Sequence, residues 1–172
     1  KFDSLVATSW FTDELGIIVS PRHELANQAS FRIPEDLKRS SWVMREEGSG
    51  TAEIFTKKLG RHASLLKIVT KTGHTEAIKK AVEAGVGAAC LSKLAVSREA
   101  EEGWLTLLPI EGIDTHRQLS IVQHKDKVIT RLMAEFLRFC EDVVQSDLGR
   151  HCMNSPWKLQ VLLTQGNQLP KA

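Results

Sequence analysis

Hydrophobic and polar positions alternate along this chain in blocks that predict a strand, a short loop and a helix in turn. Residues 42–45 form an apolar run typical of a buried strand, and small residues follow at 48–51. From 52 to 59 apolar residues recur at helical spacing, and Gly60 follows as a C-cap. We therefore expect a strand, a tight loop and a helix here.

The same order repeats downstream. Residues 65–70 predict a second strand, 71–76 a second small-residue loop, and 77–84 a helix that Gly85 ends; a short third strand of small residues follows at 86–91. Two strand–loop–helix units that lead into a third strand are typical of a parallel sheet with crossover helices. The expected core is a small, doubly wound α/β sheet.

Further elements are predicted on both sides of this core. They are a strand at 13–20, a short helix with Pro34 in its first turn, a short helical piece at 94–102, strands at 104–109 and 118–124, and a long amphipathic helix at 128–144. We expect the first strand, the strand at 118–124 and the last helix to form a second subdomain. The chain would then cross between lobes near 20–23 and near 97–106, which creates a cleft and a hinge.

The loop before the first helix is the strongest candidate for chemistry. Ligands of α/β sheets bind outside the carboxyl ends of the strands, where the loops at 46–51, 71–76 and 92–93 would meet. The first turn of a helix has N–H groups without intrahelical partners, and Ser49, Gly50 and Thr51 would present these to an anion. The alternative is that Ser49 or Thr51 only caps its own helix.

Composition and charge narrow the function. The 172 residues are 42% apolar and 26% charged, as in ordinary globular proteins, and no apolar run approaches the roughly 20 residues that span a bilayer. Three of the 23 basic and one of the 21 acidic residues lie after 144, which leaves 20 of each before it. No basic face for DNA phosphates is therefore indicated.

Candidate catalytic and metal-binding residues are not found. The three cysteines are scattered without a CxxC pair, and Cys90 and Cys140 lie in apolar surroundings that favour buried thiols over a redox role. The histidines have no ligand spacing, and no Ser-His-Asp or paired-carboxylate arrangement is indicated. We expect neither catalysis nor a metal or other cofactor, and the cysteine usage favours the cytoplasm.

Five segments carry a more specific signal when they are taken together. They are DELGIIVSPRHELA, IPEDLKRSSWVMREEGSGT, GHTEAIKKAVEAGVGAACLSKLAV, GWLTLLPIEG and RQLSIVQHKD. In this order, and in register from about residue 5 to residue 144, the chain resembles the effector-binding domain of LysR-type transcriptional regulators. The resemblance implies a type 2 periplasmic-binding-protein-like α/β fold with two lobes, one complete and the other partial.

The resemblance also implies a division of the chain. Residues 1–20 would be a remnant of lobe I and the first crossover, and 21–96 would form lobe II. Residues 97–145 would form the second crossover and the return to lobe I, and 146–172 a C-terminal tail. The opening strand and helices of lobe I, and the N-terminal helix-turn-helix that reads DNA in this family, are absent from the sequence, so we expect a truncated chain.

The function implied is that of a regulatory sensor. A small, anionic effector would bind between the lobes and change the packing of a homodimer or tetramer; DNA would be bound only through the absent helix-turn-helix, and no membrane is involved. The effector-binding residues implied are Ser49, Gly50, Thr51, Thr75, Glu76, His74 and Arg45. The alternatives are a cap role for Thr75 and no role for the loop residue His74. For the whole chain, the alternative is a solute-binding protein or anion-binding enzyme of similar architecture.

Overall fold

The computed structural model describes residues 3–145, which form six strands and four α-helices. The strands are β1 (Leu5–Val19), β2 (Ser41–Arg45), β3 (Lys67–Thr72), β4 (Ala89–Ser92), β5 (Thr106–Leu108) and β6 (His116–His124). The helices are α1 (Gly50–Leu59), α2 (Thr75–Glu83), α3 (Lys93–Glu101) and α4 (Arg131–Gln145). The predicted order of strand, loop and helix around α1 and α2 is confirmed.

Strands β2 and β3 pair in parallel, with Trp42 opposite Ile68 and Arg45 opposite Thr72. Helix α1 connects them, as the alternating pattern predicts. Gly60 ends α1 with a φ of 55°, and Gly85 follows α2 with a φ of 85°, so both glycines have the positive φ that favours glycine over other residues. The carboxyl ends of β2 and β3 consequently lie side by side.

The third strand predicted at 86–91 is confirmed only in part, because its parallel pairing with β2 is limited to one bridge. Ala88 makes only an isolated parallel bridge with Trp42, and the chain then continues as β4, which pairs antiparallel with β1. Gly87 lies so close to β2 that a Cβ there would come within 2.2 Å of the Ser41 carbonyl oxygen. The loop at 92–93 therefore follows a strand of the other sheet, in which β1 also pairs with β5 and β6.

Two other elements differ from their predicted form. Strand β1 begins at Leu5 rather than near 13, because its first half, which is largely exposed, is also part of the strand that pairs with β6. Pro34 does not begin a helix: the Ile33–Pro34 peptide is cis, and only a 3-10 turn, Asp36–Arg39, follows. The Asp36 carboxylate accepts a hydrogen bond from the Arg32 N–H at 2.8 Å, which closes this turn locally.

The main core surrounds the indole of Trp42, which is fully buried. The ring of Phe31 meets it edge-on with the centroids 5.8 Å apart, and the ring of Phe55 from α1 lies at 5.4 Å. A second cluster, which includes Ile78 and Val82 of α2, packs with Val43 on the other side of β2. Strand β2 is thus covered on both faces, as a strand of a parallel sheet must be.

The chain divides into two compact units. One contains residues 14–116, and the other contains the described residues up to Asp13 and from Arg117 onwards. In the second unit, the indole N–H of Trp10 donates to the carbonyl oxygen of Cys140 in α4 at 2.9 Å. The lobe boundaries expected after residues 20 and 96 stay a prediction, and the predicted tail at 146–172 lies outside the described residues.

Candidate functional site

The loop that joins β2 to α1 is a tight turn made possible by glycine. Gly48 has a φ of 83°, a conformation that residues with a Cβ rarely adopt, and the Ser49 N–H donates to the carbonyl oxygen of Glu46 at 3.2 Å. The chain enters α1 directly afterwards. This geometry places the first turn of α1 at the carboxyl end of β2, as the sequence predicts.

Ser49 occupies the N-cap position of α1, but its hydroxyl makes no capping hydrogen bond. The cap interpretation of this hydroxyl is therefore wrong. Ser49 and Thr51 are each only 8% exposed, whereas Gly50 is exposed, and apart from its chain neighbours and the helix backbone no heavy atom lies within 4 Å of the position that its Cβ would take. The amides of Gly50 and Ala52 lie outside the hydrogen-bond ladder of the helix, because no helical residue precedes them by four positions.

Arg45 connects the two loops at this edge of the sheet. Its Nε and Nη2 donate to Oε2 and Oε1 of Glu46, both at 2.9 Å, and its Nη1 donates to the hydroxyl oxygen of Thr75 at 3.4 Å. The hydrogen bonds from Arg45 hold the pKa of the Glu46 carboxyl below its usual range. Thr75 is the first residue of α2, so Arg45 reaches from the end of β2 to the start of that helix.

The neighbouring acidic residue is also paired. Nζ of Lys71, near the end of β3, lies 2.7 Å from Oε1 of Glu47, and this hydrogen bond lowers the pKa of the Glu47 carboxyl. Two adjacent carboxylates would repel an anion, but here each has a cation beside it, Arg45 for Glu46 and Lys71 for Glu47. The side chains of these two ion pairs therefore carry no net charge.

The loop between β3 and α2 brings two of the predicted residues to this edge and turns the third away. His74 is the N-cap of α2, so the expectation that Thr75 caps this helix is wrong, and the Thr75 hydroxyl meets Arg45 instead. Glu76 forms an ion pair with Lys79 at 2.7 Å, one turn further along α2. Gly73 packs against Glu46, because a Cβ there would lie 3.4 Å from the Glu46 Cδ.

A cavity of about 700 Å³ opens beside these loops. The residues that line it include the apolar Met44, Ala52 and Ile68 and six charged residues: Arg45, Glu46, Glu47, Glu53, Lys57 and Lys71. Of the seven predicted site residues, only Arg45 is among those that line it. The sequence predicts the loop at 71–76, which Lys71 begins, but does not single out Lys71 or Ile68 as site residues; both lie on β3, most of whose residues are exposed.

Two other features that would indicate function are a group of metal ligands and a membrane-spanning helix. Between residues 3 and 145 no three His, Cys, Asp or Glu side chains are grouped closely enough to hold a metal ion. In the same range, no helix is long and apolar enough to cross a membrane. The groups present at the candidate site are backbone amides, hydroxyls and paired charges, which can bind a small polar molecule.

Known proteins resemble the chain over most of its length. Residues 1–145 match the family model of the LysR substrate binding domain. YeiE of Escherichia coli K12, described as an uncharacterized HTH-type transcriptional regulator, is 31% identical over 140 residues, which are 80% of this chain and 46% of YeiE. A probable RuBisCO transcriptional regulator of Synechocystis is 30% identical over 139 residues, 79% of this chain and 40% of the relative. The chain thus spans less than half the length of these relatives.

Solved structures agree with the match to the LysR substrate binding domain. The regulatory domain of CcmR from Synechocystis PCC6803, in complex with 2-PG, is 26% identical with a TM-score of 0.73, covering 84% of this chain and 69% of that one. The effector-binding domain of QuiR, in complex with shikimate, is 17% identical with a TM-score of 0.69, covering 81% and 65%. The predicted type 2 periplasmic-binding-protein-like α/β fold is confirmed. The chain belongs to the family of LysR substrate-binding domains.

Proposed function

We propose that this chain is the ligand-sensing domain of a DNA-binding transcriptional regulator and that it binds a small, anionic effector at the edge where β2 and β3 end. The observation that carries the proposal is the position of Arg45, whose guanidinium joins the loop after β2 to Thr75 at the start of α2. Family membership supports the same reading.

The chemistry of this edge suits the acidic end of a small molecule. The first turns of α1 and α2 carry partial positive charge and amides without helical partners, and both begin here. Ser49, Gly50 and Thr51 contribute amides and hydroxyls, His74 and Thr75 lie at the second helix start, and Arg45 supplies a guanidinium. The Glu76 carboxylate, which pairs with Lys79, would act at most through the position of α2.

The known ligands of similar domains support an acidic effector. The CcmR domain is described with 2-PG and the QuiR domain with shikimate, and both ligands are small, oxygen-rich acids. We infer reversible binding of a molecule of this class without catalysis, since the relatives are named as transcriptional regulators. Recognition of the effector would require no metal or cofactor.

The remaining parts of the function concern the longer protein. Relatives are described as HTH-type regulators, and this chain spans less than half of their length. We infer that DNA is contacted by a helix-turn-helix domain outside this chain, that effector binding changes the packing of a homodimer or tetramer, and that the protein acts in the cytoplasm. These three inferences rest on how the relatives are described.

A calorimetric screen of small acids tests the proposal. The panel would contain carboxylates, phosphates and sulfur oxyanions, including 2-PG and shikimate, and would be measured on the 172-residue chain. We expect at least one acid to bind and Arg45→Gln to weaken it by about tenfold or more, since a hydrogen bond to a charged group is worth that much. Arg61→Gln, which removes an exposed arginine from another part of the same unit, is the control. Equal binding by both variants, or no binding of any acid, would contradict the proposal.

A further inference from the structure

The guanidinium of Arg45 already holds a carboxylate, that of the next residue in the chain. Nε and Nη2 of Arg45 each lie 2.9 Å from a different oxygen of Glu46. Two parallel hydrogen bonds of this kind are the arrangement in which arginine binds a carboxylate or a phosphate of a ligand. The side chain of Glu46 therefore occupies the positions that the oxygens of an acidic ligand would take.

The surroundings of Glu46 are those of the candidate site. Its carboxyl carbon would lie 3.4 Å from a Cβ at Gly73, so the carboxylate rests against the loop that leads into α2. The third donating nitrogen of Arg45 contacts the Thr75 hydroxyl at the start of that helix. Arg45 and Glu46 both line the cavity of about 700 Å³.

We propose that Glu46 is an internal competitor of the effector, whose acidic group must displace the Glu46 carboxylate from Arg45 before it can bind there. The inference rests on the proposed function and deepens it, because it specifies the ligand class. The effector would carry a carboxylate or phosphate that presents two oxygens to Nε and Nη2 of the Arg45 guanidinium.

The structure favours movement of Glu46 rather than of Arg45. The side chain of Glu46 is 44% exposed, so it can turn into solvent, whereas that of Arg45 is 22% exposed and also contacts Thr75. An exposed ion pair is held weakly, since the gain in attraction is largely offset by lost side-chain freedom and solvent screening. Exchange of one carboxylate for another on the same guanidinium would therefore weaken ligand binding only modestly.

Titration of the full 172-residue chain with inorganic phosphate at neutral pH tests the inference. We expect Glu46→Gln to bind phosphate about two- to fivefold more tightly than the unmodified chain, the range expected for release of an exposed ion pair. Glu46→Asp keeps the charge on a shorter side chain, so it should fall between the two.

A charge-matched control separates this competition from general electrostatics. Glu53→Gln removes the same charge from the first turn of α1, on the same cavity, where the carboxylate forms no hydrogen bond or ion pair with Arg45. Its phosphate affinity should change much less than that of Glu46→Gln. In an Arg45→Gln background, Glu46→Gln should have no effect, because nothing is left for the two anions to compete for.

Several results would overturn the inference. They are an unchanged phosphate affinity in Glu46→Gln, an equal gain in Glu53→Gln, a gain that persists without Arg45, and phosphate binding by neither the unmodified chain nor Glu46→Gln. If Arg45→Gln weakens an acid found in the calorimetric screen while Glu46→Gln leaves its affinity unchanged, competition is excluded and the proposed function stands. The two failures are therefore distinguishable.

Discussion

Nζ of Lys79 in α2 lies 2.8 Å from Oε1 of Glu99 in α3, and both side chains are almost excluded from solvent, at 8% and 12% exposure. The same ammonium group also contacts Glu76 at 2.7 Å and the carbonyl oxygen of Ala95 at 3.2 Å. Burial alone would lower the pKa of Lys79, but the hydrogen bonds to Glu76 and Glu99 outweigh it and raise the pKa. Lys79 is therefore the charged centre that joins these two helices.

Removal of this ammonium group should destabilise the unit. Lys79→Met leaves the Glu99 carboxylate buried without its cation, and loss of one partner of a buried pair costs about 3 kcal/mol or more. Urea unfolding monitored by circular dichroism measures the change. Lys80→Met, on the same helix but 64% exposed, should cost at most about 1 kcal/mol.

The paired variant Lys79→Met/Glu99→Leu separates the causes. Because it removes both charges and fills the space with apolar groups, it should recover much of the stability lost in Lys79→Met. A double variant that is less stable than Lys79→Met would show that the ion pair, rather than the unpaired charge, dominates.

A second prediction concerns the close approach of Gly87 to β2. The Val43 N–H donates to the carbonyl oxygen of Ala88 at 2.9 Å, and the Ala88 N–H donates to that of Ser41 at 2.8 Å. A Cβ at Gly87 would come 2.2 Å from the Ser41 oxygen, so Gly87→Ala must separate the two segments. We expect a loss of about 3 kcal/mol in the free energy of unfolding, at the upper end for overpacked sites.

Gly50→Ala is the matched control for this substitution. The position is helical, and the added Cβ would have no heavy atom within 4 Å apart from its chain neighbours and the helix backbone, so stability should stay unchanged or rise by up to about 1 kcal/mol. Urea unfolding of Gly87→Ala and Gly50→Ala under the same conditions compares the two losses in the free energy of unfolding. Equal losses in both would mean that the contact at Ser41 is not what makes Gly87 necessary.

Gly87 also illustrates which part of the fold could not be predicted from the sequence. The local order of strand, loop and helix around α1 and α2 followed from periodicity and from Gly60 and Gly85, which act within a few residues. The partner of β4 could not be predicted in this way, because small residues at 86–91 fit either a parallel or an antiparallel neighbour. The close approach of Gly87 to Ser41 is a contact across 46 positions that no local pattern reveals.

The candidate site was predictable to a similar degree. The two loops beside Arg45, Ser49 and Thr75 could be found because glycine and hydroxyl residues follow a strand in each case. The pairing of Glu76 with Lys79, and of Lys79 with Glu99, could not, because a lysine in an amphipathic helix is usually exposed. Which charges remain available to a ligand is decided by tertiary contacts.

A third prediction follows from the imidazole of His23. Its Nδ1 accepts a hydrogen bond from the Leu25 N–H at 3.1 Å, and its Nε2 lies 3.2 Å from the Ser40 hydroxyl. Burial lowers the pKa of His23, and the nearby Arg39 lowers it further against an opposing effect of Glu24. The protonated ring would have N–H groups on both nitrogens, so Nδ1 could no longer accept from Leu25.

The sign of the pH dependence follows from this shift. A histidine whose pKa is lowered on folding binds fewer protons in the folded state, so stability rises with pH. The contribution is fully present above the unfolded value of 6.5 and is lost as the pH falls below it. As the pH falls from about 7.5 to about 5.5, the chain should lose more stability than His23→Asn, whose amide cannot titrate there. Equal losses in thermal or urea unfolding would contradict this role.

The last prediction separates effector binding from helix capping at Ser49. Replacement of a capping serine by alanine usually costs about 1 kcal/mol, but the Ser49 hydroxyl makes no capping hydrogen bond, so Ser49→Ala should cost less. Its affinity for an acid that binds the unmodified chain should nevertheless fall, because a buried hydroxyl at the start of α1 is lost from the proposed site. Calorimetry measures the affinity and urea unfolding the stability.

Ser64→Ala, which removes an exposed hydroxyl bonded to the Arg61 carbonyl, is the control and should leave the affinity unchanged. If Ser49→Ala binds the same acid as tightly as the unmodified chain, Ser49 takes no part in recognition, and the site must be sought on the Arg45 side of the loop.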